Sequence, residues 1–399
     1  MTQTIRRILD NAGRVSINTI FGDALTVVRE SDVALRWPYN INTYENITTT
    51  SGSGSVNASG DMAVVSTGAT VGSIARLESV NLIRYRPGSE VFCMFTTVLT
   101  CSGTIGYQQG VAGSIQAVGI FDANNGFAIG FNGIQFGIRW RVSGIDTWIP
   151  QTQFNRDGLV TVDLTKIQLW RISFGWFGGA PIFFEYLTED GVWTLFHVIN
   201  IANKINVVSI HNPSLQAAIE TISSSSTTNV IVKVGCIEGG SSRPPNVMDI
   251  GYRHFHYSSS LTLKNLSSGT TIPMLSIQNP ITFQGITNKT MITVIGGTAT
   301  MTANGSNVAQ FTAIFDATLT GASFSALDSV NSVAQVDNSA TAFSGGASAR
   351  YGINMTNGTA LVDLNGGPIL VYPGHTLTVT GTATGNATGI IDINWKEAY

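Results

Sequence analysis

Apolar and polar residues alternate one by one along most of this chain, and the alternation breaks at Gly, Asn and Pro. A period of two marks a strand with one buried face, because successive side chains of a pleated strand point to opposite sides. SIQAVGIF, GFAIGF, IQFGIRWRV and DTWIPQ begin at residues 114, 126, 134 and 146. KIQLWRISFGWF (166–177), APIFFEYL (180–187) and VWTLFHVINIA (192–202) continue the series, joined by Gly178-Gly179 and Glu189-Asp190-Gly191. Those links are hairpin chemistry. Before them, DMAVVSTG (61–68), SIARLESVNLIRYRPG (73–88) and EVFCMFTTVLTC (90–101) read as strands. LQAAIETI (215–222) has a composition that permits a helix, but the Ser/Thr run after it and NVIVKVGCIE beyond favour two extended arms around a polar turn. No sustained 3.6-residue period, heptad seam or internal repeat is present, so the expected class is all-β.

The texture divides the chain in three. Residues 1–45 read as an N-terminal docking arm of short pieces broken at Gly13, Gly22 and Pro38. Residues 46–258 read as a large antiparallel sandwich. GGSSRPPN (239–246) is the strongest linker signal, and MDIGYRHFHYSSS after it is assigned to the first domain as its closing strand. In 259–399 the large aromatics thin out and Thr, Ala, Gly and Ser alternate, as expected of a smaller jelly-roll or immunoglobulin-like sandwich.

Composition narrows the function. Charged residues are 11% of the 399, where about 25% is usual. The net charge is −3, and the 21 basic residues are scattered, so no phosphate-tracking stripe exists and nucleic acid is not an expected partner. The opening MTQTIRRILDNAGRV lacks an apolar core and a cleavage site, so no secretion signal is expected. No run is long and apolar enough for a helical membrane span. The three cysteines, Cys93, Cys101 and Cys236, match no zinc spacing and are expected to be buried free thiols.

The candidate chemistry is sparse. Asp122-Ala123-Asn124-Asn125-Gly126 fails as an EF-hand loop, because Gly126, Phe127 and Gly133 fall where oxygen ligands or the turn glycine belong. Asn125-Gly126 between strands is a hairpin signal, and Asn132-Gly133 repeats it. His254-Phe255-His256 places two imidazoles on one strand face, too few for tight metal binding unless a three-fold assembly gathers three such strands. A glycosidase needs two carboxylates about 5–9 Å apart. Asp146, Asp163 and Glu185 are dispersed, and no nucleophile elbow or P-loop occurs, so neither catalysis nor a cofactor is expected. The remaining candidates are aromatics at loop tips: Trp148 beside Ile149-Pro150, and Trp176-Phe177 before Gly178-Gly179. Core packing competes for each of them.

GIFDANNGFAIGFNGIQFGIRWRVSGIDTWIPQTQFN, DLTKIQLWRISFGWFGGAPIFFEYL, FHVINIANKINVVSIHNPSL and the ending GGPILVYPGHTLTVTGTATGNATGIIDINWKE resemble virion proteins of tailed bacteriophages and large DNA viruses. The resemblance covers most of 10–240 plus the tail and contains no catalytic motif. It implies a fibre, spike or capsid-decorating protein with a lectin-like, concanavalin-type sandwich. Such a protein is made in the host cytoplasm, assembles with capsid or tail subunits as a homotrimer, and presents loops for host attachment. A carbohydrate-binding module for a host-surface glycan is the alternative, and a polysaccharide-degrading enzyme is a third reading.

Overall fold

The computed structural model describes residues 8–9, 15–16, 28–86, 89–175, 177–243, 252–259, 264–303, 306–364 and 368–398. The chain divides into two compact units, Met1–Val247 and Met248–Tyr399. Among the described residues there is no α-helix, only a short 3-10 turn at Gln151–Gln153.

The first unit contains, in chain order, β1 (Ile8–Leu9), β2 (Val15–Ser16), β3 (Val28–Arg36), β4 (Asn46–Ser51), β5 (Ser55–Ser59) and β6 (Met62–Ser66). Then come β7 (Ile74–Ile83), β8 (Glu90–Thr97), β9 (Ser114–Phe121), β10 (Gly126–Asn132), β11 (Gln135–Val142) and β12 (Ile145–Pro150). The last are β13 (Gln168–Phe174), β14 (Ile182–Leu187), β15 (Trp193–Ile199), β16 (Leu215–Ser223), β17 (Ile231–Val234) and β18 (Cys236–Arg243). They form a seven-stranded sheet in the order β12-β11-β10-β9-β16-β7-β4 and a six-stranded sheet in the order β15-β14-β13-β8-β18-β3. All ladders in these sheets are antiparallel.

The alternation read from sequence gives each sheet one apolar face, and the two faces meet. Phe127 from β10 packs edge-on against Phe174 from β13, with ring centroids 5.5 Å apart. Phe136 from β11 meets Trp170 from β13 at 6.0 Å. Val118, Ile120, Ile129, Ile138 and Ile219 from one sheet and Phe95, Ile172, Ile182 and Phe184 from the other complete this layer. Aromatics carry much of the burial because each removes a large apolar area from water, and edge-to-face pairs add to it. LQAAIETI lies within β16, a central strand, as the extended reading expected.

Two boundaries differ from the sequence reading. Residues 28–36 are not part of an arm. They form β3, the edge strand paired with β18, and Val33, Leu35 and Trp37 enter the core. Trp37 donates its Nε1 hydrogen to Asn46 Oδ1, which binds the first loop to β4. Most of residues 1–27 lie outside the described residues. Tyr252–Ser258 does not close the first domain. It pairs with Ala387–Ala398 in the second unit, so the division falls at 247/248 and not 258/259.

The second unit is a sandwich of two six-stranded sheets. Its last strand, Ala387–Ala398, lies inside one sheet between Tyr252–Ser258 and Met291–Ala303. Trp395 is buried there and stacks on Phe255. Glu397, also buried, accepts hydrogen bonds from Ser332 Oγ, the Val333 amide and Trp395 Nε1 at 2.7, 3.0 and 2.9 Å. Replacing Glu397 by Ala strands these donors in an apolar setting, where each unmet group costs about 1–3 kcal/mol. Glu397→Ala is therefore expected to lower stability by at least about 3 kcal/mol, read as a lower urea midpoint at unchanged m-value.

Candidate functional site

The loops at one end of the first sandwich are tied into a platform. Between β9 and β10, Asp122 Oδ1 accepts the amides of Asn124 and Asn125, each at 2.7 Å, a local closure that Asp favours in turns. The hairpin is a four-residue link, and not a two-residue Asn-Gly turn. Gly126 is already paired with Phe121 and Arg141, with φ +132°. This leaves the Asn125 side chain, almost buried, for long-range work: its Oδ1 accepts the amides of Ser143 and His211 at 3.4 and 3.1 Å. Ser143 and Gly144, both at positive φ, form the turn between β11 and β12, and the Gly144 amide donates to Asn124 O. Trp140 Nε1 donates to Ser209 O, and the Ser209 amide donates to Gly178 O. Four connections are thus linked in series, from 122–125 through 143–144 and 201–212 to the turn after β13.

That turn carries Phe177, which is 71% exposed at φ +44°. A bulky side chain pays a conformational penalty there, which only the surrounding bonds can hold. The platform also exposes Ile145, Val207, Asn124 and His211. It therefore offers an aromatic face with amide and imidazole groups on a rigid support. Trp176 lies outside the described residues. Trp148 is not in a loop: it is half-buried on edge strand β12, opposite Arg139 of β11. The two described aromatic candidates thus sit on different elements. The sequence reading also missed Tyr39, Tyr44 and Tyr107, whose exposures are 92%, 75% and 69%. Tyr39 follows Pro38 directly, a signal for an irregular, surface position.

The outer face of the seven-stranded sheet holds an unexpected charge ladder. Ala117, Phe121, Ala128 and Ala218 cluster on that face. Across the three alanines Arg139 Nη1 reaches Glu220 Oε1 at 2.5 Å, and Arg76 holds Glu220 at 3.1 Å and Glu78 at 2.7 Å. The Arg139 and Arg76 guanidiniums lie 4.2 and 5.1 Å from the centroid of the Phe121 ring, a cation–π geometry. Arg139 is 1% exposed, and its Nε and Nη2 have no protein partner. Burial lowers the Arg139 pKa against the opposing pull of Glu220. Burial alone would raise the Glu220 carboxyl, but Arg139, Arg76 and Arg141 together hold it below the usual carboxylate range. Glu78 goes the other way, raised by burial that exceeds the effect of Arg76.

Two acids the sequence reading did not name are thus brought together: Glu78 and Glu220 share one guanidinium. Both are engaged in ion pairs, and Glu220 is shut from solvent at 4% exposure. The acids named from sequence are engaged as well. Asp146 binds Arg141, Glu185 binds Arg171, and Asp163 accepts from Gln108 and Thr165.

His254 and His256 are exposed on Tyr252–Ser258, with Phe255 turned into the core, so the two share a face as expected. Lys396 stands across from His254, and among the described residues no third His, Cys, Asp or Glu completes a metal-binding group. The cysteines are free. Cys93 is buried and its thiol pKa is pushed far up by desolvation. Cys101 is half-buried and raised to about 11, while Cys236 is exposed, contrary to the expected burial.

No family model matches the chain, and no curated protein matches it. Among solved structures it is similar to lectin I-B4 from Griffonia simplicifolia in its metal-free form, at 14% identity and a TM-score of 0.31, over 52% of this chain and 99% of that one. It is also similar to the peanut lectin solved with a 9mer peptide, at 11% identity and 0.34, over 55% and 100%. A legume lectin-like domain from Entamoeba histolytica matches at 10% and 0.33, over 51% and 95%. Similarity at this level carries nothing about ligands, metals or partners over to this chain.

Removing one member of a buried pair leaves the other uncompensated, at about 3–5 kcal/mol. Arg139→Ala is expected to lose that much stability at neutral pH by chemical denaturation. Because the folded state depresses the Glu220 pKa, its contribution is present above the unfolded value and disappears as pH falls through the folded one. Stability measured toward acid should therefore fall less steeply in Arg139→Ala than in the unaltered protein.

Proposed function

We propose that this chain is a non-enzymatic binding protein of a virus particle, and that its first sandwich recognises a host-surface glycan through the loop platform. The observation that carries the reading is Phe177, exposed and held at positive φ on a turn bonded through Ser209 to loops that Asn125 braces. Sugars present apolar C–H faces beside rings of hydroxyls. An exposed aromatic ring on the same bonded loop network as an exposed amide and imidazole offers groups for both, and a prefixed loop loses little entropy on binding. The ion-paired state of Glu78 and Glu220 favours binding over hydrolysis.

The virion setting is supported by the sequence resemblance, the low charge and one edge of the second unit. Gly358–Asp363 ends its sheet with Leu361 78% exposed and no Lys or Pro to blunt it. A strand edge that exposes Leu361 between Thr359 and Asp363 suits pairing with neighbouring subunits in an assembly, the homotrimer included.

Phe177→Ala is expected to weaken binding to the preferred glycan on an array at least tenfold while leaving the melting temperature unchanged or higher. Trp148→Ala, on edge strand β12 opposite Arg139 and not on a loop, should leave glycan binding intact. Array binding that survives Phe177→Ala rejects the platform. A protein that stays monomeric by mass measurement and never co-purifies with particles rejects the virion role.

A further inference from the structure

Between the two sheets of the second unit lies a cavity of about 80 Å³. Its wall is almost wholly hydrocarbon and includes Ala299, Phe311, Ala313, Val362, Leu377 and Ile391. The cavity has a local cause. Met291–Ala303 presents Gly297 and Ala299 to the core, and Ala309–Phe315 presents Ala313, so facing positions are both small. Close packing normally leaves few voids larger than a water molecule. The polar residues at its border, Thr298 and Asp392, are bonded to each other at 2.5 Å. Val362 and Ile353 are only half-buried, and they join the cavity wall to the strands Gly358–Asp363 and Ala347–Met355 at the edges of the two sheets.

We propose that this cavity is a binding site for an uncharged aliphatic group, either a small hydrocarbon or the terminal segment of a longer chain. Water gains nothing there, since a buried water needs two to four polar partners. An ion would lose its hydration without compensation. An apolar guest recovers the dispersion contacts that the lining atoms lack. An engineered cavity of about 150 Å³ takes benzene, so this one fits a guest of fewer atoms.

The test uses the full chain. Crystals under xenon pressure should show one xenon atom between Ala299, Phe311, Ala313 and Leu377. Ala313→Leu and, independently, Ala299→Leu place a side chain in the space and should remove that atom. In solution, cyclopropane and octan-1-ol at about five times their dissociation constants should raise the melting temperature of the unaltered protein by roughly 2–4 °C. A shift with cyclopropane alone identifies an enclosed site for small molecules, and a shift with both identifies entry of a chain end. Either supports the proposal, provided the shift is lost in a filled variant. Absence of xenon from the unaltered protein, no shift with either compound, or a shift that persists in both filled variants overturns it.

Discussion

A strand has two faces, and in a two-layer sandwich only one of them meets the other layer. The first unit depends on how its central sheet resolves that constraint. On the inner face, β9, β10 and β11 supply Ile120, Phe127, Phe131, Phe136 and Ile138, which lock against Trp170, Phe174 and Phe184. On the outer face β9, β10 and β16 carry Ala117, Ala128 and Ala218, and over these lie the long side chains of Arg139 and Glu220. The small residues make room for a buried pair that crosses two intervening strands. The pair in turn binds β11 to β16 and, through Arg76, to β7. Hydrophobic burial stacks the sheets, and the charge ladder fastens the strands of one sheet side by side.

The loop platform follows from that rigidity. A side chain such as Asn125 can brace two distant loops only if the strands that deliver them stay in register. The antiparallel ladders from β9 to β12 fix that register, and the Phe177 turn is anchored from the other sheet through Gly178 and Ser209. Exposed groups on a stiff end and an apolar interior beneath them divide the work between recognition and stability.

Much of the fold was legible in the sequence, because a period of two is a local property that each strand displays by itself. β9 to β16 could be read this way, even where LQAAIETI has a composition that permits a helix. What escaped was everything set by partners distant in sequence. β3 looked like a loose arm because its partner, β18, is some 200 residues away. Tyr252–Ser258 looked like the end of one domain because its partner is the last strand of the other. Trp148 looked like a loop residue because of Pro150, which an edge strand tolerates at its end. Of the candidate site, Phe177 was legible from the Gly pair after it. The convergence of Glu78 and Glu220 was not, because it depends on the pairing of β7 with β16.

The position of the last strand has a consequence for how the polypeptide is made. Ala387–Ala398 is an interior strand of its sheet, flanked by Tyr252–Ser258 and Met291–Ala303. Neither flanking strand can take its final partner until residue 398 has emerged from the ribosome. The two large sheets of the first unit draw on no strand later than β18 among the described residues, so their ladders can form while the second unit is still being translated. Until then the backbone groups of both flanking strands that face Ala387–Ala398 have no partner in that sheet. Closure of the second sandwich is therefore a late, long-range event that no local hairpin can replace.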